Sequence, residues 1–295
     1  MAPSIVVGID GSEMSQRALT WAASVGRRVD AEIQPVMVWD YPAVAVLPFP
    51  AGLPVPPEDA MQADHEQAAA MVVDGARGLE GATVNPPIVA RGSSGRVLCD
   101  AAIGADLLVV GSRGLGALKS LVMGSVSGYC VNHAPCPVAV IPTSWAPGDT
   151  DIPAAHVFVG VDGSDHAAAA VAFADAWAPE EATLVLAHAW DVPVTVDGAA
   201  LMYQIDDLEA AAQAVMEQSR DLVSAERRDS GRLETRVVRA DARIMLEEAG
   251  AESDLVIIGS RSHSGFERLL LGSVAAHTMH HLRVPTIVVR HQDAD

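Results

Sequence analysis

Two stretches of the chain carry glycines in the same frame. They read GSRGLGALKSLVMGS at residues 111 to 125 and GSRSHSGFERLLLGS at residues 259 to 273, and each follows a strand-sized apolar run. The first contains Gly111, Gly114 and Gly124, followed by Ser125. Glycine allows positive φ and close backbone approach, so such a loop can wrap its amides around an anion. A serine at a helix start predicts an N-cap with amides that face a phosphate. The frame therefore predicts a phosphate-binding loop.

An aspartate precedes each glycine stretch at the end of an earlier apolar run. Asp10 lies in VVGIDGS and Asp162 in VGVDGS, and each carboxylate is suited to a ribose or to a metal ion that bridges phosphates. The second copy has Ser262 where the first has Gly114. If that position needs a left-handed backbone, a serine costs roughly 1–2 kcal/mol, or about tenfold in affinity. We predict that the first site binds more tightly than the second.

Isolated glycines most often only make turns, and recurrence of the frame with an aspartate in both halves argues against that alternative. Neither stretch is a Walker A loop, because Lys119 does not follow Gly-x-x-x-x-Gly, and the order Gly-x-Gly-x-x-Gly is absent. The sequence therefore excludes a P-loop motor and a nicotinamide enzyme of the usual pattern.

The recurring stretches belong to an internal repeat that organises the whole chain. ADLLVVGSRG recurs as SDLVIIGSRS, and LVMGSVSGYCVNHAPCPVAVI recurs as LLLGSVAAHTMHHLRVPTIVV. A linker rich in Pro, Gly and Asp separates the copies. We predict two domains, residues 1–146 and 153–295, with a proline-rich insertion at residues 41 to 59 of the first.

Each copy alternates continuous apolar strands with helical patterns, which is typical of a parallel sheet covered on both faces. The predicted class is two tandem doubly wound α/β sandwich domains. Ligands bind such sheets at the carboxyl ends of the strands. Asp10 and Gly111 both fall at such ends, so the elements bring them to one edge.

The amino-acid composition limits the classes of molecule that the protein can bind. The net charge of −19 disfavours nucleic acid, because phosphate backbones are bound by clustered Lys and Arg. Any phosphate must be held by backbone amides and local geometry. The chain has three cysteines without a CxxC spacing and no run of eighteen uncharged apolar residues. We expect a soluble, unprocessed cytoplasmic protein that uses no membrane.

The glycine frame, with an aspartate after the first strand and a valine closing the second, resembles the nucleotide-binding branch of the universal stress protein family. The resemblance covers nearly the whole chain as a tandem. It implies a five-stranded parallel sheet of order 3-2-1-4-5 and binding of ATP, usually with Mg²⁺. It also implies pairing of domains through the last strands, PVAVI and PTIVV, and a homodimer of tandem chains.

The resemblance also assigns site residues. Asp10 would lie near the ribose or the metal, and the Val38 backbone near the adenine edge. Gly111 would lie near the ribose and the α-phosphate. The phosphates would be lined by Gly114, Gly124, Ser125 and Val126. The matching residues of the second copy are Asp162, Ala189, Gly259, Gly272, Ser273 and Val274.

Other residues favour ordinary structural roles. His277 and His281 could share one helix face in HTMHH as a metal pair, but the matching segment of the first copy has Cys130 and His133 without ligand spacing or a third ligand nearby, so we expect ordinary helix-face histidines. RGSSGR at residues 91 to 96 predicts a turn and an N-cap. Cys130 and Cys136 are expected to be buried and unreactive. Trp39 and Trp190 follow the predicted adenine positions, where packing is favoured over base stacking.

Three functions remain compatible with the residues. The first is an ATP-binding regulatory protein that acts on an unknown protein partner, which is favoured because no catalytic set can be assembled from the glycine loops. The second is a slow ATPase or phosphotransferase, for which Arg113 or Lys119 would stabilise charge. The third is a structural dimerisation module with an empty pocket or a cyclic AMP ligand. The Gly114 frame argues for a polyphosphate instead.

Overall fold

The computed structural model describes residues 2–41, 57–76, 78–114, 123–146, 155–192, 205–262, 271–281 and 283–291. The chain divides into two compact units, Met1–Ile152 and Pro153–Asp295. In each unit strands alternate with helices and the described strand pairs are parallel, which confirms the predicted α/β class. The proline-rich insertion lies mostly outside the described residues. No helix in the described ranges is long and apolar enough to cross a membrane.

Unit 1 is one parallel sheet with helices packed on it. Its strands pair in the order β3-β2-β1-β5-β6, with β4 also beside β2. The helices α1 and α2 contact each other, as do α3 and α4, and right-handed crossovers place the two pairs on opposite faces. The strands are β1 Ser4–Ile9, β2 Glu32–Trp39, β3 Thr83–Val84, β4 Ile88–Arg91, β5 Leu107–Gly111 and β6 Val138–Ile141. The helices are α1 Glu13–Val29, α2 Glu58–Gly75, α3 Ser94–Ala101 and α4 Ser125–His133.

The third strand of unit 1 is split into two short pieces, β3 and β4. Pro86 and Pro87 separate β3 from β4, since proline has no N–H to donate to a neighbouring strand. Both pieces pair with β2, on either side of the gap. The Gln34 amide donates to the carbonyls of Pro35 at 3.1 Å and Pro86 at 2.9 Å, so a side chain bridges the gap.

The first helix shows how local sequence sets these elements. Ser12 is its N-cap and its hydroxyl accepts a hydrogen bond from the Ser15 amide at 3.1 Å. Ala18, Leu19 and Ala22 are fully buried against the sheet, as their helical spacing predicts. Capping by Ser12 therefore fixes the start of α1 shortly after Asp10, and burial fixes its direction.

Unit 2 repeats the architecture. Its strands pair in the order β9-β8-β7-β10-β11. The strands are β7 His156–Gly160, β8 Thr183–Trp190, β9 Leu233–Arg239, β10 Leu255–Gly259 and β11 Thr286–Val289. The helices are α5 Asp165–Trp177, α6 Ile205–Asp221, α7 Ala225–Asp229, α8 Ala242–Glu252 and α9 Ser273–His280.

A buried ion pair fixes the short helix α7 to α5. Arg227 Nε donates to Asp175 Oδ1 at 3.0 Å, and the two side chains are only 7% and 16% exposed. The Arg227 guanidinium also donates to the carbonyls of Pro179 and Ala182. The Asp175 carboxylate accepts the amide and the hydroxyl of Ser224 as well. Because both charges are paired and hydrogen-bonded, their burial is tolerated.

Candidate functional site

The end of β1 brings an aspartate beside the glycine loop of unit 1. Asp10 follows the last residue of β1, and its Oδ1 accepts a hydrogen bond from the Ser12 amide at 3.0 Å. A β-carbon built on Gly114 would lie 2.3 Å from Asp10 Oδ2. Two positions that are far apart in the chain are therefore adjacent at the carboxyl end of the sheet.

Gly114 lies against the Asp10 carboxylate, and its backbone is not left-handed. The left-handed conformation considered for this position is wrong, because Gly114 is not among the residues with positive φ. Any side chain there would meet the Asp10 carboxylate. In unit 2, where Ser262 takes this place, Asp162 Oδ1 accepts from both the amide of Ser164 at 3.0 Å and its hydroxyl at 2.6 Å.

Gly111 and Gly259 let the first helix of each unit approach a strand end. A β-carbon on Gly111 would lie 3.1 Å from the Arg113 carbonyl oxygen and 3.2 Å from Met14 Cβ. On Gly259 it would lie 2.8 Å from the backbone carbonyl carbon of His166, closer than real β-carbons come. These glycines hold the aspartate-bearing turn against the glycine loop.

The glycine loops are closed in the same way in both units. The Gly124 amide donates to the Ser112 carbonyl at 2.7 Å, and the Gly272 amide donates to the Ser260 carbonyl at 2.8 Å. The Ser127 hydroxyl also donates to the Ser112 carbonyl, at 3.2 Å. The residues between these ends, 115–122 and 263–270, lie outside the described ranges, and Lys119 is among them.

A helix N-terminus follows each closure. Ser125 was expected to be the N-cap of α4, but that role falls to Gly124, so Ser125 and Val126 are the first helical residues. The first amide with an intrahelical acceptor is that of Gly128, which donates to Gly124 at 3.0 Å. The preceding amides have no intrahelical partner and carry the positive end of the helix dipole. The matching residues in unit 2 are Gly272, Ser273, Val274 and Ala276.

An arginine with an unpaired buried nitrogen stands in each glycine loop. Nε of Arg113 and Nε of Arg261 are buried and have no hydrogen-bond partner among the described residues, and the same holds for Ser112 Oγ. A buried donor without a partner costs about 1–3 kcal/mol, so native proteins normally satisfy it. The same unsatisfied donor at the same place in both units fits an anionic ligand.

In unit 2 these parts line an open cleft. The cleft encloses about 560 Å³ when the space open to solvent is counted. Its predicted lining residues are Asp162, Ala189, Gly259, Gly272 and Val274. Ser262 and Arg261 also line it, whereas Ser273 does not. The α8 residues Ala242, Met245 and Leu246, which the sequence did not indicate, supply an apolar wall.

The predicted adenine positions lie on the second strand of each unit. Val38 pairs with Ala90 of β4, and Ala189 pairs with Val238 of β9. Ala189 lines the cleft.

The next residues, Trp39 and Trp190, have packing partners. Trp39 is buried and its indole N–H donates to Gln62 at 2.7 Å. The Trp190 ring lies under the Arg239 guanidinium, 5.7 Å from its centroid.

His166, in the first turn of α5, is held beside the cleft of unit 2. Its Nδ1 accepts the backbone amide of His291 at 2.8 Å and lies 3.3 Å from the Ser260 hydroxyl. Burial is the main cause that lowers the pKa of His166, and the positive charges of Arg261 and Arg290 lower it further. The imidazole is therefore neutral at pH 7.

The remaining candidates have the following positions. Ser93 is the N-cap of α3 as predicted, although its side chain makes no capping hydrogen bond. Cys130 and Cys136 are buried free thiols. His277 and His281 lie on one helix face as expected, and the α8 residue Glu247, which the sequence did not indicate, lies against both.

Comparison with known proteins agrees with this architecture. The model of the Universal stress protein family matches residues 1–142 and 154–290. A universal stress protein of Mycolicibacterium smegmatis is 32% identical over 97% of this chain and 96% of its own length. Universal stress protein Rv2005c of Mycobacterium tuberculosis is 33% identical over the same shares. The crystal structure of a universal stress protein from Archaeoglobus fulgidus, 16% identical, matches 100% of this chain and 98% of its own with a TM-score of 0.65. With two consecutive matches that cover nearly the whole chain, the protein belongs to the universal stress protein family as a tandem of two such domains.

Proposed function

We propose that the chain is an ATP-binding stress-response regulator in which nucleotide occupancy modulates conformation, assembly or the binding of a protein partner. One observation carries the proposal. Both units place a buried, unpaired arginine Nε in a glycine loop that starts beside an aspartate and ends at a helix N-terminus. An unsatisfied donor in a loop that leads to a helix N-terminus, present in both units, is what a polyphosphate would complete.

Different residues of the site would contact different parts of the nucleotide. The phosphates would lie against the first amides of α4 or α9, with Arg113 or Arg261 as charged donors. Asp10 and Asp162 would face the ribose or a Mg²⁺ ion, which prefers oxygen ligands and keeps some of its water. In unit 2 the adenine would lie on the apolar wall formed by Met245 and Leu246 of α8.

Hydrogen-bond donors in the site must offset the repulsion between the negatively charged protein and a polyphosphate. The net charge of −19 opposes a polyphosphate at long range, but screening limits that field to roughly 8 Å at physiological salt. Amide donors and an arginine act within hydrogen-bond distance, where they dominate. Affinity should accordingly depend on the loop residues far more than on distant surface charge.

Slow ATP hydrolysis is a second candidate, and the unpaired Nε of Arg113 beside Gly114 is the observation that favours it. An arginine near the transferred phosphoryl group stabilises developing charge. A turnover assay separates the two candidates. A rate well above about 1 s⁻¹ would favour an enzyme, because typical enzymes work at or above that rate.

Assembly is the output that is simplest to measure. We propose a homodimer of tandem chains whose stability depends on nucleotide. Light scattering of the full chain with and without Mg-ATP tests this. A mass that is the same under both conditions at all protein concentrations would leave partner binding or conformation as the output.

The decisive experiment identifies the ligand. Nucleotide released by heat from the purified full chain is separated by chromatography, and Mg-ATP binding is then measured by calorimetry on the emptied protein. We expect adenine nucleotide in the first step and saturable binding in the second. Asp10→Asn with Asp162→Asn should weaken that binding. No adenine nucleotide in the pocket and no uptake at millimolar ATP would refute the proposal.

A further inference from the structure

Glu247, His277 and His281 form a cluster of metal-ligating side chains in unit 2 that the nucleotide site does not use. His277 lies in α9, and His281 is the C-cap residue of that helix. Glu247 lies in the facing helix α8. One ligand atom from each residue lies within 4.8 Å of the others. None of the three residues lines the cleft. The cluster is therefore a separate feature of unit 2.

The cluster is held together by short contacts. His277 Nε2 lies 2.5 Å from Glu247 Oε1, and His281 Nδ1 lies 3.7 Å from the same oxygen. The two imidazole rings stack with centroids 4.1 Å apart. His281 Nδ1 also lies 2.9 Å from the His277 carbonyl. A ring nitrogen that donates a hydrogen bond has no lone pair for a metal, so an ion held by Nδ1 replaces this bond.

The first unit provides an internal comparison. At the same positions of α4 it has Tyr129 and His133, which stack with the same centroid distance of 4.1 Å. His133 Nδ1 also lies 2.9 Å from the Tyr129 carbonyl. Counted from the N-cap of its helix, Cys99 takes the place of Glu247. The stacked ring pair is therefore a feature of the repeated fold, whereas the set of three ligands is specific to unit 2.

The types of ligand in the cluster indicate which metal ion it would bind. Two imidazoles and one carboxylate, with an open fourth position for water, are a common ligand set for zinc. Imidazole favours Zn²⁺ and neighbouring transition metals over Mg²⁺ and Ca²⁺, which prefer oxygen ligands. The side chains are 30%, 49% and 38% exposed for His277, His281 and Glu247, so an ion can reach them from solvent.

From this geometry we infer that Glu247, His277 and His281 bind a divalent transition-metal ion, with Zn²⁺ as the representative. The ion replaces the direct contact between Glu247 and His277, and water completes its coordination. It joins α8 to α9, both of which contribute residues to the cleft of unit 2. The site is independent of the proposed nucleotide, because it shares no side chain with it.

Calorimetric titration of the tag-free, chelator-treated full chain with Zn²⁺, without nucleotide, tests the inference. We expect about one tight site per chain. His277→Tyr removes one ligand and introduces the residue type that the first unit has at this position. The fold should therefore tolerate the substitution. Glu247→Gln removes the charge at constant shape. Each should weaken Zn²⁺ binding at least about tenfold, as losses around metal sites commonly do.

Two controls keep the result specific. His280→Ala removes an exposed neighbouring histidine outside the cluster, and His133→Ala removes the histidine of the matching pair in unit 1. Both should bind Zn²⁺ as the unmodified chain does. Circular dichroism confirms that each variant is folded. Absence of tight Zn²⁺ binding by the unmodified chain, or unchanged binding in folded His277→Tyr and Glu247→Gln, would overturn the inference.

Discussion

A β-carbon on Gly114 would lie 2.3 Å from Oδ2 of Asp10, so a side chain at this position of unit 1 requires the carboxylate to shift. Unit 2 has Ser262 at this position, and its aspartate is bonded to the Ser164 hydroxyl. The two units therefore differ in the residue next to the carboxylate, although the surrounding elements are the same.

The first prediction concerns this difference. Gly114→Ser should displace the Asp10 carboxylate and weaken Mg-ATP binding at the first site about tenfold, whereas Ser262→Gly should strengthen the second. Calorimetry of the full chain, fitted to two sites, measures both. Gly75→Ser is the control, because a β-carbon there meets nothing within 4 Å. Unchanged affinity in Gly114→Ser would show that the contact with Asp10 does not matter for binding.

The second prediction concerns the close approach of α5 to β10. Gly259→Ala should destabilise unit 2 by about 1–3 kcal/mol, because the new methyl group would meet the backbone of His166 and Ala167 within 2.9 Å. Gly111→Ala should cost less, since its closest contact is 3.1 Å. Urea unfolding of the two variants gives the comparison. Equal losses, or a larger loss in Gly111→Ala, would contradict the packing argument.

The third prediction concerns the buried ion pair. Arg227→Ala should lower the free energy of unfolding by about 3–5 kcal/mol, since it leaves the Asp175 charge buried without its partner. Arg228→Ala is the matched control: its side chain is 33% exposed and lies 3.4 Å from an exposed Asp221. That change should cost at most about 1 kcal/mol. Similar effects of the two substitutions would refute the role assigned to Arg227.

The fourth prediction concerns the thiols of unit 1. Burial raises the pKa of Cys136 from the ordinary 9.0 to about 12, and a hydrogen bond with Cys99 together with burial raises the pKa of Cys130. Both groups are therefore protonated in the folded state near neutral pH. A thiolate-specific reagent should label neither at pH 8 until the chain is unfolded. Rapid labelling of Cys130 or Cys136 in the folded chain would refute this prediction.

The same shifts give a dependence of stability on pH. A thiol whose pKa is higher in the folded state than in the unfolded state binds its proton more tightly when folded. Its contribution to stability is complete below pH 9.0 and is lost as the pH rises toward about 12. Cys136→Ala should reduce this alkaline loss in urea unfolding measured across that range. An alkaline profile identical to that of the unmodified chain would contradict it.

The internal repeat explains why so much of the architecture follows from the sequence. Asp10 and Gly124 recur in order with apolar strands before them, and parallel strands gather their carboxyl ends at one edge. Finer features depend on backbone detail. Gly124 takes the N-cap role instead of Ser125 because its own backbone is extended, with φ −77° and ψ 164°. Residue type alone does not decide between two adjacent candidates.

Contacts between helices were the least predictable part. Glu247 reaches His277 only because α8 packs against α9, and no local pattern links the two helices. The first copy offers no hint, since Cys99 and Tyr129 hold the matching positions. Arg227 likewise finds Asp175 through the packing of α7, a helix for which the first unit shows no counterpart among its described residues.

The split third strand of unit 1 also bears on self-association. β3 and β4 have only β2 as a strand neighbour within the unit, so they form its outer rim on that side. An unbroken rim of this kind is a template on which another extended chain can be added. Neither Pro86 nor Pro87 has a backbone N–H to donate, and the Gln34 amide occupies the Pro86 carbonyl. The same prolines that interrupt the strand thus make this rim of unit 1 a poorer template for the addition of another extended chain.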